Sequence, residues 1–235
     1  MEGRELPFIR QMFDSIAPRY DLLNRMLSLR QDVTWRNAMV SALSLADNGR
    51  VLDVACGTGD VVTAIRRRMG PTVQVVGIDF SIGMLERAKT KIERIPDSAV
   101  ALVAGDALAL PFGRARFQAV TIAFGIRNIQ DKLSALRAFG KCLKPGGRLL
   151  VLELANPRRG GWADLYLAYF RNILPRIGRL FSKHAFAYAY LPDSVARFPA
   201  ADDFMALMAE AGFDRISCRR LTLGVANLFV GIKPG

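Results

Sequence analysis

Two glycines and two carboxylates carry the first chemical signal in this chain. The run VLDVACGTGD, Val51 to Asp60, sets Asp53 in an apolar stretch that breaks at Gly57 and Gly59. A second apolar run, VVGID, ends at Asp79, twenty residues after Gly59. Glycines lack the Cβ that would hold a ligand off the backbone. A carboxylate ending the neighbouring strand can accept hydrogen bonds from both hydroxyls of a ribose. Turn and acid together describe a nucleoside grip at the edge of an α/β sheet; the bland alternative is a tight strand–helix turn that binds nothing. Val62 stands where a dinucleotide fingerprint wants its third glycine, and no Gly-Lys-Ser/Thr closes a P-loop.

Further candidates fall at later strand ends, where open α/β sheets bind ligands. In Gly105-Asp106-Ala107, the Asp106 carboxylate could accept from an adenine amino group while the Ala107 N–H meets a ring nitrogen. Asp106 could equally cap the turn it begins. Phe124, in Ala123-Phe124-Gly125, offers an aromatic face to a cation, or is ordinary core. Asp53 is read as ordering the glycine turn, with a water-mediated contact to a ligand's amino group. Cys56 is read as a small residue filling that turn.

Those positions need elements to hold them, and the apolar periodicity supplies an alternation of strands and helices. Strands are expected at Val51–Ala55, Val73–Ile78, Val100–Ala104, Phe117–Phe124 and Arg148–Leu154. Helices are expected at Asp32–Leu45, Asp60–Met69, Ile82–Ile95 and Lys132–Leu143, the last closed by the turn Lys144-Pro145-Gly146-Gly147. A helix at Asp202–Gly212 and two strand-like runs reaching Ile232 read as a helix and a hairpin-like edge. The strands are rich in Val, Leu and Ile on both faces, as a buried parallel sheet requires. The fold class is therefore α/β, an open and mostly parallel sheet with helices on both faces.

Composition narrows the class. A chain of 235 residues with 51% hydrophobic content suits one domain, 1–235, with a sizeable core. Cys56, Cys142 and Cys218 lie far apart without a histidine cluster, which argues against zinc and against a disulfide framework and suits a reducing cytoplasm. No signal peptide is read at the N-terminus, and no apolar run is long enough to cross a bilayer. The net charge of +12 would attract nucleic acid or an anionic membrane, or would serve solubility alone.

The pattern D-x-A-x-G-T-G, Asp53 to Gly59, resembles the first motif of class I S-adenosylmethionine-dependent methyltransferases, whose ligand has no pyrophosphate and needs no phosphate cradle. Longer stretches are more specific. FGIRNI (Phe124 to Ile129), YDLLNRMLSLRQDVTWR (Tyr20 to Arg36), LKPGGRLLVLELANP (Leu143 to Pro157) and YAYLPDSVARFP (Tyr188 to Pro199) resemble the ubiquinone/menaquinone biosynthesis C-methyltransferase family over nearly the whole chain. The resemblance implies methyl transfer from S-adenosylmethionine to a ring carbon of a prenylated quinol. It implies cofactor contacts at Thr58, Asp79, Asp106 and Ala107, with Gly57 and Gly59 in the turn. Ala123 replaces the family's usual serine before FG, which removes one hydroxyl contact. Arg30-Gln31-Asp32-Val33-Thr34-Trp35 keeps only the tryptophan of G-x-H-R-x-W. These departures, with Glu153-Leu154-Ala155-Asn156-Pro157 after the fifth strand, lean towards demethylmenaquinol as substrate. A ubiquinone-pathway benzoquinol, another lipid or an RNA remain alternatives, although an amino-nitrogen methyltransferase would show Asn/Asp-Pro-Pro-Tyr/Phe where FGIRNI stands.

An aromatic carbon becomes a nucleophile when a neighbouring hydroxyl loses its proton, so the enzyme must favour the quinolate and aim the carbon at the methyl. The chain's one histidine, His184, lies in an aromatic, basic stretch and is read as a surface or interfacial residue. Arg127 stays protonated and is cast as stabilising the developing quinolate, unless it pairs with a carboxylate such as Asp131. Asn128 would hold a water or a quinol oxygen. Tyr20, with Asp21 and Asn24, would belong to an N-terminal helical lid over residues 1–45. Glu153 would bind substrate hydroxyls or pin the sheet edge. The inserted segment 156–200, with Trp162, Tyr166, Tyr169 and Phe170 among Arg158, Arg159 and Arg171, would roof the substrate or rest on headgroups. A cytoplasmic enzyme in peripheral contact with the inner face of an anionic membrane is the expectation, with no nucleic-acid partner and a homodimer left open.

Overall fold

In a computed structural model of the chain, the described residues are 5–45, 48–95, 99–155 and 185–235. Five strands run parallel: β1 (Arg50–Val54), β2 (Gln74–Asp79), β3 (Val100–Ala104), β4 (Phe117–Ala123) and β5 (Leu143–Leu154). Two more, β6 (Asp214–Leu221) and β7 (Ala226–Ile232), form a hairpin whose second strand joins β5 antiparallel. The sheet order is β3-β2-β1-β4-β5-β7-β6. The chain winds outward from β1 in one direction and from β4 in the other. The switch between them opens a crevice at the carboxyl ends of the central strands, where Val54 and Ala123 lie.

Period-two alternation sorts the strand side chains into two buried layers. Val51, Val75, Ala119, Leu150 and Leu152 face the helices α3 (Gln31–Ser41), α4 (Asp60–Met69) and α5 (Ile82–Ile92). Leu52, Val120, Ile122, Leu149 and Val151 face α6 (Lys132–Cys142) and, through Phe204 and Met208, α8 (Ala201–Glu210), which follows α7 (Ala185–Ala196) in the chain. Each such side chain taken from water stabilises the fold by about 1.5–3 kcal/mol, which is why the central strands read as unbroken apolar runs.

Sequence and structure part at the start of β5 and at the ends of two helices. The expected turn at Lys144–Gly147 sits inside β5 as a bulge. Phe117 pairs with Leu143 and Ala119 with Arg148, so Gln118 alone faces those four residues. The helix expected to reach Leu45 ends at Ser41, and the one expected to reach Ile95 ends at Ile92. Most of the 156–200 segment, with Trp162, Tyr166, Tyr169, Phe170 and His184, lies outside the described residues. Its far end packs on the core through Val195 and Phe198, whose ring meets Phe204 at 5.0 Å. Ahead of the sheet, α1 (Glu5–Ile16) and α2 (Tyr20–Leu27) are joined by a 3-10 turn at Ala17–Arg19, and Met12 and Leu23 pack together between them.

Candidate active site

Beyond β1 the backbone turns through three left-handed positions, Ala55 (φ +51°), Gly57 (φ +52°) and Gly59 (φ +78°), before α4 begins. The two glycines serve different ends. A Cβ on Gly57 would meet nothing within 4 Å, so that side of the turn is open. A Cβ on Gly59 would come within 3.0 Å of the Ala88 Cβ, so Gly59 allows α4 and α5 to pack and does not line the cavity. The Gly57 N–H donates to Asp79 Oδ2 at 2.8 Å, and the Ser81 N–H donates to Oδ1 at 2.9 Å. Burial raises the Asp79 carboxyl above its ordinary range against the pull of these hydrogen bonds.

Gly57 and Asp79 form one wall of a cavity of about 800 Å³ that continues past Asp106 and Ala107 to Phe124, Asn128 and Tyr20. Asp106 caps its own turn, accepting from the Leu108 N–H at 2.9 Å, and also lines the cavity. Phe124 stands at φ +58°, a strained conformation for an aromatic residue, held between the Trp35 ring at 6.1 Å and the Arg36 guanidinium at 5.4 Å. Tyr20 reaches the cavity from the first turn of α2. Burial pushes its phenol up, opposed by the Arg127 charge and an Asn24 hydrogen bond. It is a hydrogen-bond donor at neutral pH.

Arg127 does not line the cavity. Its Nη1 donates to Glu153 Oε1 at 2.7 Å and to the Phe124 carbonyl at 2.5 Å, while its backbone N–H donates to Glu153 Oε2 at 3.1 Å. Arg127 does pair with a carboxylate, and the partner is Glu153, not Asp131. Asp131 instead caps α6 through the Ser134 N–H. Glu153 is fully buried, lies outside the cavity lining and supports Arg127. Arg127 thus braces the strained end of β4 from behind.

Thr58 is likewise turned away. Its hydroxyl donates to Asp21 Oδ1 at 2.5 Å and accepts from Lys91 Nζ at 3.0 Å. These bonds belong to a network that sequence reading missed. Lys91 reaches Asp21 and Asp60, each at 2.5 Å, and Arg36 reaches Asp32 at 2.6 Å and Asp60 at 3.3 Å. Burial would raise the Asp60 carboxyl, but Arg36 and Lys91 outweigh it and hold the group below the usual carboxylate range. Asp14 extends the pattern from α1, accepting from the Ser81 hydroxyl at 2.5 Å and the Gly83 N–H at 3.1 Å beside the cavity. Only the i,i+4 spacing of Asp32 and Arg36 signalled any of this in the sequence.

Asp53 lies beneath the turn. Thr121 Oγ1 donates to its Oδ1 at 2.6 Å, its Oδ2 has no partner among the described residues, and burial pushes its pKa to about 7. An open glycine backbone, a strand-end acid and an acid-bearing turn on the next strand fit a ligand with a nucleoside at one end, and the orphaned oxygen of Asp53 lies buried behind that wall.

Fold and site together define a class I S-adenosylmethionine-dependent methyltransferase. The architecture matches the [4+2]-cyclase SpnF with a TM-score of 0.71 at 17% identity, over 96% of this chain and 95% of that one. It also matches a putative methyltransferase of Bacillus halodurans with a TM-score of 0.62 at 22% identity, over 85% of this chain and 99% of that one. Residues 2–233 match the model of the ubiE/COQ5 methyltransferase family, and the chain belongs to that family. It is 45% identical to the ubiquinone/menaquinone biosynthesis C-methyltransferase UbiE of Geobacter sulfurreducens, over 96% of this chain and 88% of the relative. It is 46% identical to the demethylmenaquinone methyltransferase of Thermus thermophilus, over 95% of this chain and the whole of the relative. The chain is an S-adenosylmethionine-dependent C-methyltransferase, as the sequence reading expected.

Proposed function

We propose that this enzyme methylates a ring carbon of demethylmenaquinol. One continuous cavity supports the reading, running from the open face of Gly57 and Asp79 to Phe124, Asn128 and Tyr20. Its two ends would hold the donor and the ring within reach of each other. Relatives at 43–47% identity are named either for ubiquinone and menaquinone together or, in two organisms, for demethylmenaquinone alone, so the naphthoquinol is the headgroup common to both names.

S-adenosylmethionine, when bound, supplies an electrophilic methyl on a sulfonium. Asp79 takes the ribose hydroxyls, Asp106 and the Ala107 N–H take the adenine edge, and Gly57 lets the ligand lie against the backbone. The orphaned Oδ2 of Asp53 reaches the amino group through a water. Gly59 and Thr58 act one step removed: Gly59 seats α4 on α5, and Thr58 ties α2 to the turn through Asp21. Across residues 1–45, α1 and α2 act as a lid, clasped by Asp14–Ser81 and by Asp21 with Thr58 and Lys91.

At the quinol end, Tyr20 and Asn128 donate to the oxygen beside the reacting carbon. Donors held in a poorly solvated cavity lower the cost of the quinolate, whose hydroxyl proton would pass to water. The ring carbon would then take the methyl as its bond to sulfur breaks to leave a neutral thioether. The ring carbon's own proton would return to the oxygen to restore the quinol. Arg127 adds its positive charge from behind Phe124 without touching the substrate. The segment 156–200 would cover the prenyl chain, and the charge of +12 supports peripheral contact with an anionic membrane where that chain resides.

The test is transfer of label from S-adenosylmethionine to reduced demethylmenaquinone and to a benzoquinol precursor, side by side. Label on the naphthoquinol, reduced about tenfold to a thousandfold by Tyr20→Phe or Asn128→Ala, is the expected result. Label on the benzoquinol alone would move the substrate assignment, and label on neither despite donor binding would remove the quinol reading.

A further inference from the structure

Two turns at the carboxyl rim of the sheet present leucines where no packing argument calls for them. Leu29 is 75% exposed and Leu223 is 74% exposed, the highest values among the exposed large apolar side chains of the described residues. Both hold left-handed backbone, as do their neighbours Arg30 and Thr222. Glycine or asparagine would be the unstrained choice at such positions, and a polar residue the soluble one. Each leucine therefore sits where both the backbone and the solvent disfavour it.

The two turns form one surface. Thr222 Oγ1 accepts from Trp35 Nε1 at 2.8 Å and donates to Gln31 Oε1 at 3.1 Å, so the β6–β7 turn is tied to the start of α3, two residues after Leu29. Leu22 and Met26, one helical turn apart on α2, are also exposed and extend the apolar face towards the tip. Its flanks are basic: Arg30 beside Leu29, and Arg219 and Arg220 in exposed positions before Leu223. No acidic residue follows Asp214 in the chain.

Topology sets this surface beside the cavity. The β6–β7 turn precedes Ala226, the partner of Leu154 at the carboxyl end of β5. The α2 helix starts at Tyr20 in the cavity wall and leads to Leu29 at the tip. We propose that Leu29 and Leu223, with Met26 and Leu22 behind them and Arg30, Arg219 and Arg220 around them, form the face by which this enzyme docks on an anionic phospholipid bilayer. Apolar tips ringed by arginine suit the boundary between acyl chains and anionic headgroups. This rests on the quinol reading, for a polyprenyl substrate must leave the bilayer and enter a cavity that shares this rim. The leucines enter the acyl region, and the arginines lie level with the phosphates.

Leu29→Asn with Leu223→Asn separates docking from folding, because asparagine tolerates the left-handed backbone. We expect this double variant to keep its donor binding and to melt no lower than the parent protein. It should sediment with vesicles of phosphatidylcholine and phosphatidylglycerol at least about tenfold less per leucine replaced. Arg219→Gln with Arg220→Gln should weaken binding to those vesicles and leave the weak binding to phosphatidylcholine alone unchanged. Turnover of a tail-less, water-soluble naphthoquinol should match the parent in both variants. If the asparagine variant sediments like the parent, the docking face is refuted. If it loses self-association in sedimentation velocity while vesicle binding persists, a second copy covers the face and the proposal is equally overturned. Loss of the quinol reading would show separately, as no turnover of the soluble quinol by the parent protein.

Discussion

Replacing Asp53 with asparagine should change the pH dependence of folding more than any surface substitution could. The side chain is 1% exposed, with one oxygen served by Thr121 and the other unserved. Its pKa rises from 3.8 to about 7 on folding. The folded state therefore binds the proton more tightly than the unfolded chain does. The stability this provides is complete below the unfolded value and is lost as the pH climbs through the folded one. Each tenfold change in acidity corresponds to about 1.4 kcal/mol, so between about pH 5 and about pH 8.5 the group removes about 3 kcal/mol. Asparagine keeps the shape and the Thr121 contact but carries no proton to lose. Urea unfolding of the donor-free protein and of Asp53→Asn across that range isolates the effect, because every other titration is common to both. The two stability curves should diverge as pH rises, with the variant relatively more stable at the alkaline end. Parallel curves would refute the reasoning, for Asp53 would then hold one protonation state throughout.

Other outcomes follow from the same geometry. Gly57→Ala places its methyl in open space, so it should lower donor affinity at a stability cost of about 1 kcal/mol for the left-handed backbone. Gly59→Ala drives its methyl against Ala88 and should cost about 1–3 kcal/mol more, as thermal and urea unfolding will report. Glu153→Ala strands the Arg127 guanidinium in a site where the carboxylate is fully buried. A loss of about 3–5 kcal/mol is expected, with Arg127→Met in the same chain recovering part of it. A double-mutant cycle in which the two changes simply add would remove Arg127 from its bracing role.

Periodicity alone placed the five parallel strands within a residue or two, apart from the long bulged start of β5, because a buried parallel sheet admits few non-apolar side chains. Asp79, Asp106, Ala107 and Gly57 were legible for a related reason. The carboxyl edge of an open α/β sheet is where the chain turns, so residues just past each strand converge whatever fills the core. Arg127 and Thr58 were legible as positions but not as roles. Both follow strands that lead to the site, yet which way a side chain turns depends on partners far away in the chain. Glu153 lies 26 residues from Arg127, and Asp21 lies 37 from Thr58.

The charged network of Asp21, Asp32, Arg36, Asp60 and Lys91 exists only because α2, α3, α4 and α5 meet over the glycine turn. Scattered along the sequence, its members look like the solvated faces of separate helices. The raised pKa of Asp53 and the left-handed leucines at the rim are likewise properties of packing and backbone path, which no residue type announces. Local pattern and hydrophobic period determined the fold class, the family resemblance and the donor end of the site, since each depends on residues close in sequence. Tertiary structure decided which charges pair, which carboxyl holds its proton up to about neutral pH and which apolar residues remain uncovered, because each of these depends on what distant segments bring within a few ångströms.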